Sequence, residues 1–374
     1  MSAKHPTPEE YQRGIVTNHS SRFTPFSLKL ANGGTLTGIS HIPQNPTISY
    51  EAKPLLVGIH GGTCSAHTYD VTPEFTASTW SERLGIPFLA VNRPHVMHSS
   101  GWRLDRSSDD PGHPAFEVKE ENSFFEEEAR WWHEYILPAL WQEFAAPNGC
   151  NSIVTTSHSL GTPMTILTAS LYSAQASPEK GEYKWAGLID SGWAEANTQR
   201  FYSTFGQEPT RDPDDIPLSH DPSIHAQPIR KEDKADIMLG PKGMEPDPSL
   251  RELLASGSTP VLMEESMAMA TWWPQNKAKA QAGVKIPVLC ALPEYDWAWQ
   301  GSRRNIDAFC KGFVNAPRVE GACVEGTGHT IDLGPCRDGW WIRCYGWALE
   351  VAAGLAVRER EGKPENFEQG EWPN

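Results

Sequence analysis

Ile153-Val154-Thr155-Thr156-Ser157-His158-Ser159-Leu160-Gly161 is the stretch that decides the fold. Its first four residues run without polar alternation, as in a strand covered on both faces, and Gly161 to Ala174 is apolar almost all round, as in a buried helix. Only a sharp turn separates the two. Such a strand-to-helix turn lifts the hydroxyl of Ser159 clear of a sheet, and the small residues Ser157 and Gly161 on either side let neighbouring backbones approach.

The same alternation extends outward. Leu55 to Ile59, Phe88 to Val91, Leu188-Ile189 and Val288 to Ala291 are further short apolar runs that read as doubly covered strands. Helical stretches lie between them. Ser123-Phe124-Phe125-Glu126 has the form of a capping box and predicts a helix start, with Pro138 as a kink or stop; Trp340 to Val357 predicts a closing helix before a charged tail. Phe26 to Leu30 and Leu36 to Ile42, around Asn32-Gly33-Gly34, predict an antiparallel hairpin at the start. Together these predict an α/β fold with a mostly parallel central sheet and helices on both faces.

One interval breaks the pattern. From Trp193 to Lys285 the chain spends 93 residues between two strands, far beyond an ordinary connection, and ten prolines fall there, among them Pro209, Pro213, Pro217, Pro222, Pro246 and Pro248. Near its end, Val261 to Trp273 reads as an apolar helical piece. The expected organisation is a core from 1 to 192, a cap inserted between the sixth and seventh strands from 193 to 283, and the second part of the core from 284 to 374.

Composition narrows the function. The 374 residues carry 47 acidic against 32 basic side chains, a formal charge of −15, which repels a polyanion and disfavours nucleic acid as a partner. With 15 Trp and 39% hydrophobic residues the chain is too apolar to be disordered. No apolar run approaches the roughly 20 residues that cross a bilayer, and the opening Met1-Ser2-Ala3-Lys4-His5-Pro6 has no signal-peptide core, so no membrane partner and a cytoplasmic location are expected. The seven cysteines are scattered without a C-x-x-C pair and read as reduced thiols.

At the turn around Ser159 the sequence resembles the α/β-hydrolase family, whose nucleophile elbow is G-x-S-x-G; here Ser157 stands in place of the first glycine. The resemblance covers roughly residues 24 to 192 and 284 to 358 and implies Ser159 as nucleophile. It also implies an oxyanion hole made by the amide of Leu160 with that of Gly62 or Thr63, in Ile59-His60-Gly61-Gly62-Thr63, with His60 bracing the loop. His329, in Glu325-Gly326-Thr327-Gly328-His329-Thr330, is the expected general base, since an imidazole can take the serine proton and return it to the leaving group. Family members place the acid a few residues past the preceding strand, which selects Asp296 in Leu292-Pro293-Glu294-Tyr295-Asp296-Trp297; Glu294 and Asp190 stand as alternatives. The order Ser159, Asp296, His329 is that of the family.

Other features have plainer readings. His95 and His98 lack a third ligand at metal spacing, His158 beside the nucleophile is expected to pack near the elbow, and Gly61-Gly62 is not a phosphate loop. Trp193, Trp272, Trp273 and Trp297, with Trp299, border the cap and are expected to line an apolar substrate pocket. The expected activity is cleavage of an ester, lactone, thioester or amide of a bulky hydrophobic small molecule, with no cofactor and no metal. Acyl transfer, a lyase or cyclisation step on the same residues, and non-catalytic ligand binding are the rivals, and a homodimer stays open.

Overall fold

The structure is a computed structural model that describes residues 20–44, 46, 48–102, 122–175, 183–198, 216–217, 225–227, 231–257, 259 and 261–361. Pro209, Pro213, Pro222, the opening residues 1–6 and the tail from 362 lie outside them. The chain opens with the hairpin of β1 (Thr24–Lys29) and β2 (Thr35–His41), paired antiparallel from Thr24 opposite Ser40 to Lys29 opposite Thr35. Then come β3 (Pro54–Ile59), β4 (Phe88–Val91), β5 (Ser152–His158) and β6 (Trp185–Ser191), every residue of which is buried. After three short strands, β7 (Ile216–Pro217), β8 (His225–Gln227) and β9 (Val261–Leu262), the chain returns with β10 (Val288–Tyr295) and β11 (Val319–Gly328).

Eight of these form one sheet in the order β1-β2-β4-β3-β5-β6-β10-β11, antiparallel at β1·β2 and β2·β4 and parallel from β4 onward. Alternate side chains go to opposite faces, as strand geometry requires. Leu55, Val57, Ile59, Ile153 and Leu188 join one hydrophobic core, and Leu56, Phe88, Val154 and Ile189 join the other. Helix α1 (Ser78–Leu84) and the long α8 (Arg337–Glu361) cover the second face. The first is covered by α2 (Phe124–Trp131) with its extension to residue 145, and by α3 (Gly161–Ala174), α6 (Trp273–Gly283) and α7 (Arg303–Cys310).

The capping box forms as expected: Ser123 Oγ accepts from the Glu126 amide at 3.3 Å while Glu126 Oε2 accepts from the Ser123 amide at 2.8 Å. The helix does not stop at Pro138. A wide π turn, Trp132–Ile136, precedes the proline and a second, Trp141–Ala145, follows it. The widened turn makes room for the ring and absorbs the missing amide, which in a regular helix would cost a hydrogen bond and a clash.

Between β6 and β10 the described residues hold the small antiparallel sheet β7-β8-β9, helices α4 (Lys231–Leu239) and α5 (Ser249–Ser256), and α6, which packs on α3. The single helical piece expected from Val261 to Trp273 is divided. Val261 and Leu262 pair as a strand with β8, after which Met263–Met267 is helical and Ala268–Trp272 forms a π turn. The strand pairing with Ala226 and Gln227 supplies hydrogen bonds that no local periodicity reveals.

The topology selects one place for a site. From β3 the chain moves to β4 on one side and later to β5 on the other, so the connections leave the carboxyl ends of β3 and β5 in opposite directions. A crevice opens at such a switch point. His60 to Cys64 leave one strand there and Ser159 leaves the other.

Candidate active site

Ser159 directly follows β5 and has φ of +51°, in the left-handed region that costs a non-glycine residue about 1–3 kcal/mol. Its surroundings hold it there. The Ser159 amide donates to Ser191 O at 2.9 Å and its carbonyl accepts from the Thr162 amide at 2.8 Å. A peptide unit is planar, so pinning that carbonyl also fixes the opposite direction of the Leu160 N–H. A Cβ on Gly61 would lie 2.9 Å from that of Ser159, and one on Gly161 would lie 3.0 Å from His60 O. Loop and turn thus meet at a distance only glycine permits. At the position where the family pattern has its first glycine, the Ser157 hydroxyl is buried and donates to Asp190 Oδ1.

His329 directly follows β11 and Asp296 directly follows β10. His329 Nε2 lies 2.8 Å from Ser159 Oγ, and its Nδ1 lies 2.7 Å from Asp296 Oδ2. The other carboxylate oxygen, Oδ1, accepts the amides of Ala298 at 2.8 Å and Trp299 at 3.0 Å. Asp296 is thereby held by its own loop while it holds the ring. The two alternative acids have other partners. Asp190 lies within β6, bonded by Ser157, and burial pushes its carboxyl well above the usual carboxylate range. Glu294 is exposed and accepts the Gly326 amide at 2.9 Å. His158 packs beside these residues, its ring centroid 4.7 Å from that of His329, with Ser191 Oγ and Thr330 Oγ1 at 3.2 and 3.3 Å from its nitrogens. Burial, then the neighbouring His329, lowers its pKa far below the ordinary value and keeps it neutral.

His60 is fully enclosed. Its Nδ1 lies 2.8 Å from Gly61 O and its Nε2 accepts the Arg93 amide at 3.2 Å, which places the ring proton on Nδ1. Burial and then Arg93 push its pKa down to about 3. By the same planarity, holding Gly61 O fixes the Gly62 N–H. Thr63 follows at φ +59°, a second strained residue and a β-branched one. Among the described residues the amides of Gly62, Thr63 and Leu160 meet no protein acceptor.

These groups open on a cleft of about 650 Å³, solvent at its mouth included. Trp193, Trp297, Ala298 and Trp299 line it together with Ile237, Met238, Val261 and Met269, and among its described lining no residue is Asp, Glu, Lys or Arg. Of the tryptophans singled out from sequence, Trp193, Trp297 and Trp299 line this cleft. Trp272 and Trp273 do not line this cleft. Trp273 lies one layer behind, its ring edge-on to Trp193 at 6.0 Å, and Trp272 faces a separate hollow beside Arg130 and Leu167. The π turn Ala268–Trp272, which ends on the first of them, sets a helix phase that the sequence does not announce.

Some site residues were not singled out from sequence. Ile237, Met238, Ser266 and Met269 reach the cleft from the insertion. Arg93 lies buried beneath the elbow, its Nη1 2.6 Å from Glu265 Oε1, 3.4 Å from Glu128 Oε1 and 3.3 Å from Leu160 O. Burial raises the Glu128 carboxyl against the pull of Arg93. These partners are 35, 67 and 172 positions away from Arg93 in the chain, so no local spacing could have joined them. The seven cysteines are free thiols. His95 stacks edge-on against Trp102 at 4.6 Å, and among the described residues no three His, Cys, Asp or Glu side chains gather as metal ligands. No described helix is long and apolar enough to cross a membrane.

No family model matches the chain and no curated protein matches it in sequence. Solved structures do. A thermostable carboxyl esterase from Bacillus coagulans superposes with a TM-score of 0.56 at 14% identity, over 89% of this chain and 100% of that one. A monoglyceride lipase from Saccharomyces cerevisiae gives 0.52 at 13%, over 90% and 98%. The Cif epoxide hydrolase from Acinetobacter nosocomialis gives 0.52 at 12%, over 92% and 97%. With the sheet order and the inserted segment, these likenesses show that the chain has the α/β-hydrolase fold. The neighbours' own chemistries differ, so the reaction has to be argued from the site.

Proposed function

We propose that the protein is a serine hydrolase that cleaves an ester or related acyl bond of a neutral, hydrophobic small molecule through an acyl-enzyme. The observation that carries this reading is the contact series Asp296, His329, Ser159, with separations of 2.7 and 2.8 Å, ending on a strained serine that faces an apolar cleft. His329 Nε2 takes the Ser159 proton as the oxygen attacks the carbonyl carbon. Asp296 fixes the ring with its proton on Nδ1 and balances the imidazolium. The amides of Leu160 and of Gly62 or Thr63 stabilise the oxyanion, each such donor being worth about 3–4 kcal/mol. His329 then protonates the leaving group, and a water deprotonated by the same nitrogen releases the acid.

The nucleophile type favours acyl substrates over the epoxide class named for one structural neighbour. A serine that opened an epoxide would end as an ether, which neither His329 nor an oxyanion hole helps water to cleave. Attack on a carbonyl ends as an ester, which both help to cleave. In this reading the segment from 193 to 283 acts as a cap, since it brings Ile237, Met238, Val261 and Met269 over the serine, and a wall without charge suits an uncharged acyl or alcohol group.

A series of p-nitrophenyl esters of rising acyl length, with fluorophosphonate labelling read by peptide mass spectrometry, tests the proposal. Turnover and a single label on Ser159 are expected. A protein that neither turns over any ester nor takes the label would sink it, and label on another residue would remove Ser159 from its role.

A further inference from the structure

Two buried cations lie beneath the candidate oxyanion groups, and their surroundings differ. Arg93 has the carboxylates of Glu265 and Glu128. Lys234, on α4 and only 1% exposed, has no carboxylate within ion-pair distance among the described residues. Its Nζ instead donates to Thr63 O at 2.6 Å and to Gly257 O at 3.2 Å. The Thr63 carbonyl also accepts the Thr259 amide at 2.9 Å, and Thr259 Oγ1 donates to Cys64 O at 2.9 Å. Three hydrogen bonds from the inserted segment thus grip two consecutive carbonyls of the loop after β3.

That loop needs a grip. Thr63 is a β-branched residue at φ +59°, and if it relaxed to negative φ the adjoining peptide that carries its own N–H would swing. Lys234, Ile237 and Met238 have the spacing i, i+3, i+4 and share one face of α4, so the helix that supplies part of the cleft wall also places the ammonium under the loop. A neutral donor would suffice for a mere tether. An ammonium without a carboxylate is expensive to bury, and the expense is offset when negative charge develops on the loop's other side during the reaction.

We propose that Lys234 is a positioning residue for the oxyanion site: from the inserted segment it holds Thr63 in its left-handed conformation, aims the loop amides at the reacting oxygen, and adds a positive charge behind them. The inference rests on the hydrolase reading above. Lys234→Met keeps the shape and removes the charge and both donors. With p-nitrophenyl butyrate, kcat is expected to fall about 10- to 100-fold with KM within about twofold. Labelling by a fluorophosphonate should slow by a similar factor. The melting temperature should stay level or rise, because exchanging an unpaired buried charge for an apolar group relieves the fold.

An unchanged kcat in an active protein overturns the inference and leaves the hydrolase reading intact; a lower melting temperature and higher KM at unchanged kcat do the same, by reducing Lys234 to a tether. A wild-type protein that is itself inert ends both. If Lys234→Met does not fold, Thr259→Val, which strips only the hydroxyl from the Cys64 carbonyl, takes its place: lower kcat at unchanged KM and melting temperature supports the inference, and unchanged kcat overturns it.

Discussion

Ser159, His329 and Asp296 are each the first residue beyond a strand of the main sheet, whereas Ile237, Met238, Val261 and Met269 stand on a nine-residue helix, a two-residue strand and a π turn. The first group inherits its position from ladders of backbone hydrogen bonds. The second is held by side chains reaching across, Glu265 to Arg93, Lys234 to Thr63 and Thr259 to Cys64. The two sides of the cleft are therefore suited to different tasks. In the proposed function, sub-ångström alignment of a proton relay needs the stiff side, while a wall that admits some substrates and refuses others can sit on the softer one.

Substitutions can break or sharpen this division. Ser159→Ala should lower kcat by about 10⁴- to 10⁶-fold while the melting temperature stays within a few degrees, as ester assays and thermal melts will show. Asp296→Asn should cost about 10⁴-fold through loss of the correct tautomer, whereas Glu294→Gln, whose exposed side chain accepts the Gly326 amide, should leave kcat within about twofold. If the two acids behaved alike, the stiff side would not be the one that reacts. Gly62→Ala places a methyl 2.5 Å from Leu160 Cδ1 and 3.3 Å from Val261 Cγ2, where the two sides touch, and kcat/KM should drop about tenfold. Met269→Ala, confined to the soft wall, should raise KM about fivefold with kcat nearly unchanged, since the contact it removes serves ground state and transition state equally.

The smallest effect at neutral pH concerns His60. Its pKa is pushed down from 6.5 to about 3, so the unfolded chain takes up a proton there before the fold does. The stability it gives is whole above pH 6.5 and is lost as pH falls toward 3, at up to about 1.4 kcal/mol per pH unit. His60→Asn, which keeps a donor for Gly61 O, should flatten that part of a melting-temperature profile; an unaltered slope would show that other groups set it.

Much of the stiff side was legible in the sequence because a strand, a small-residue turn and a helix occupy consecutive positions around Ser159, and because Gly61-Gly62 follow a strand in the same way. Asp296 and His329 came from chain order within a resembled family, not from any local signal. What escaped belongs to contacts between distant segments. Arg93 reads as one arginine in a loop until Glu265 arrives 172 residues later, and Trp273 reads as a pocket residue until a π turn sets its phase. Periodicity reports how an element could bury itself, not which partner buries it.

The close approach of loop and turn foretells how the chain will answer to random mutagenesis. Codons 61 and 161 should return almost empty from any library selected for activity, because a single added methyl would have to displace the Ser159 side chain or the backbone of residue 60. Codons 339 and 346, glycines on α8 where a methyl meets nothing within 4 Å, should accept alanine freely and even gain from it. Two pairs of identical residues would then differ sharply in what they tolerate.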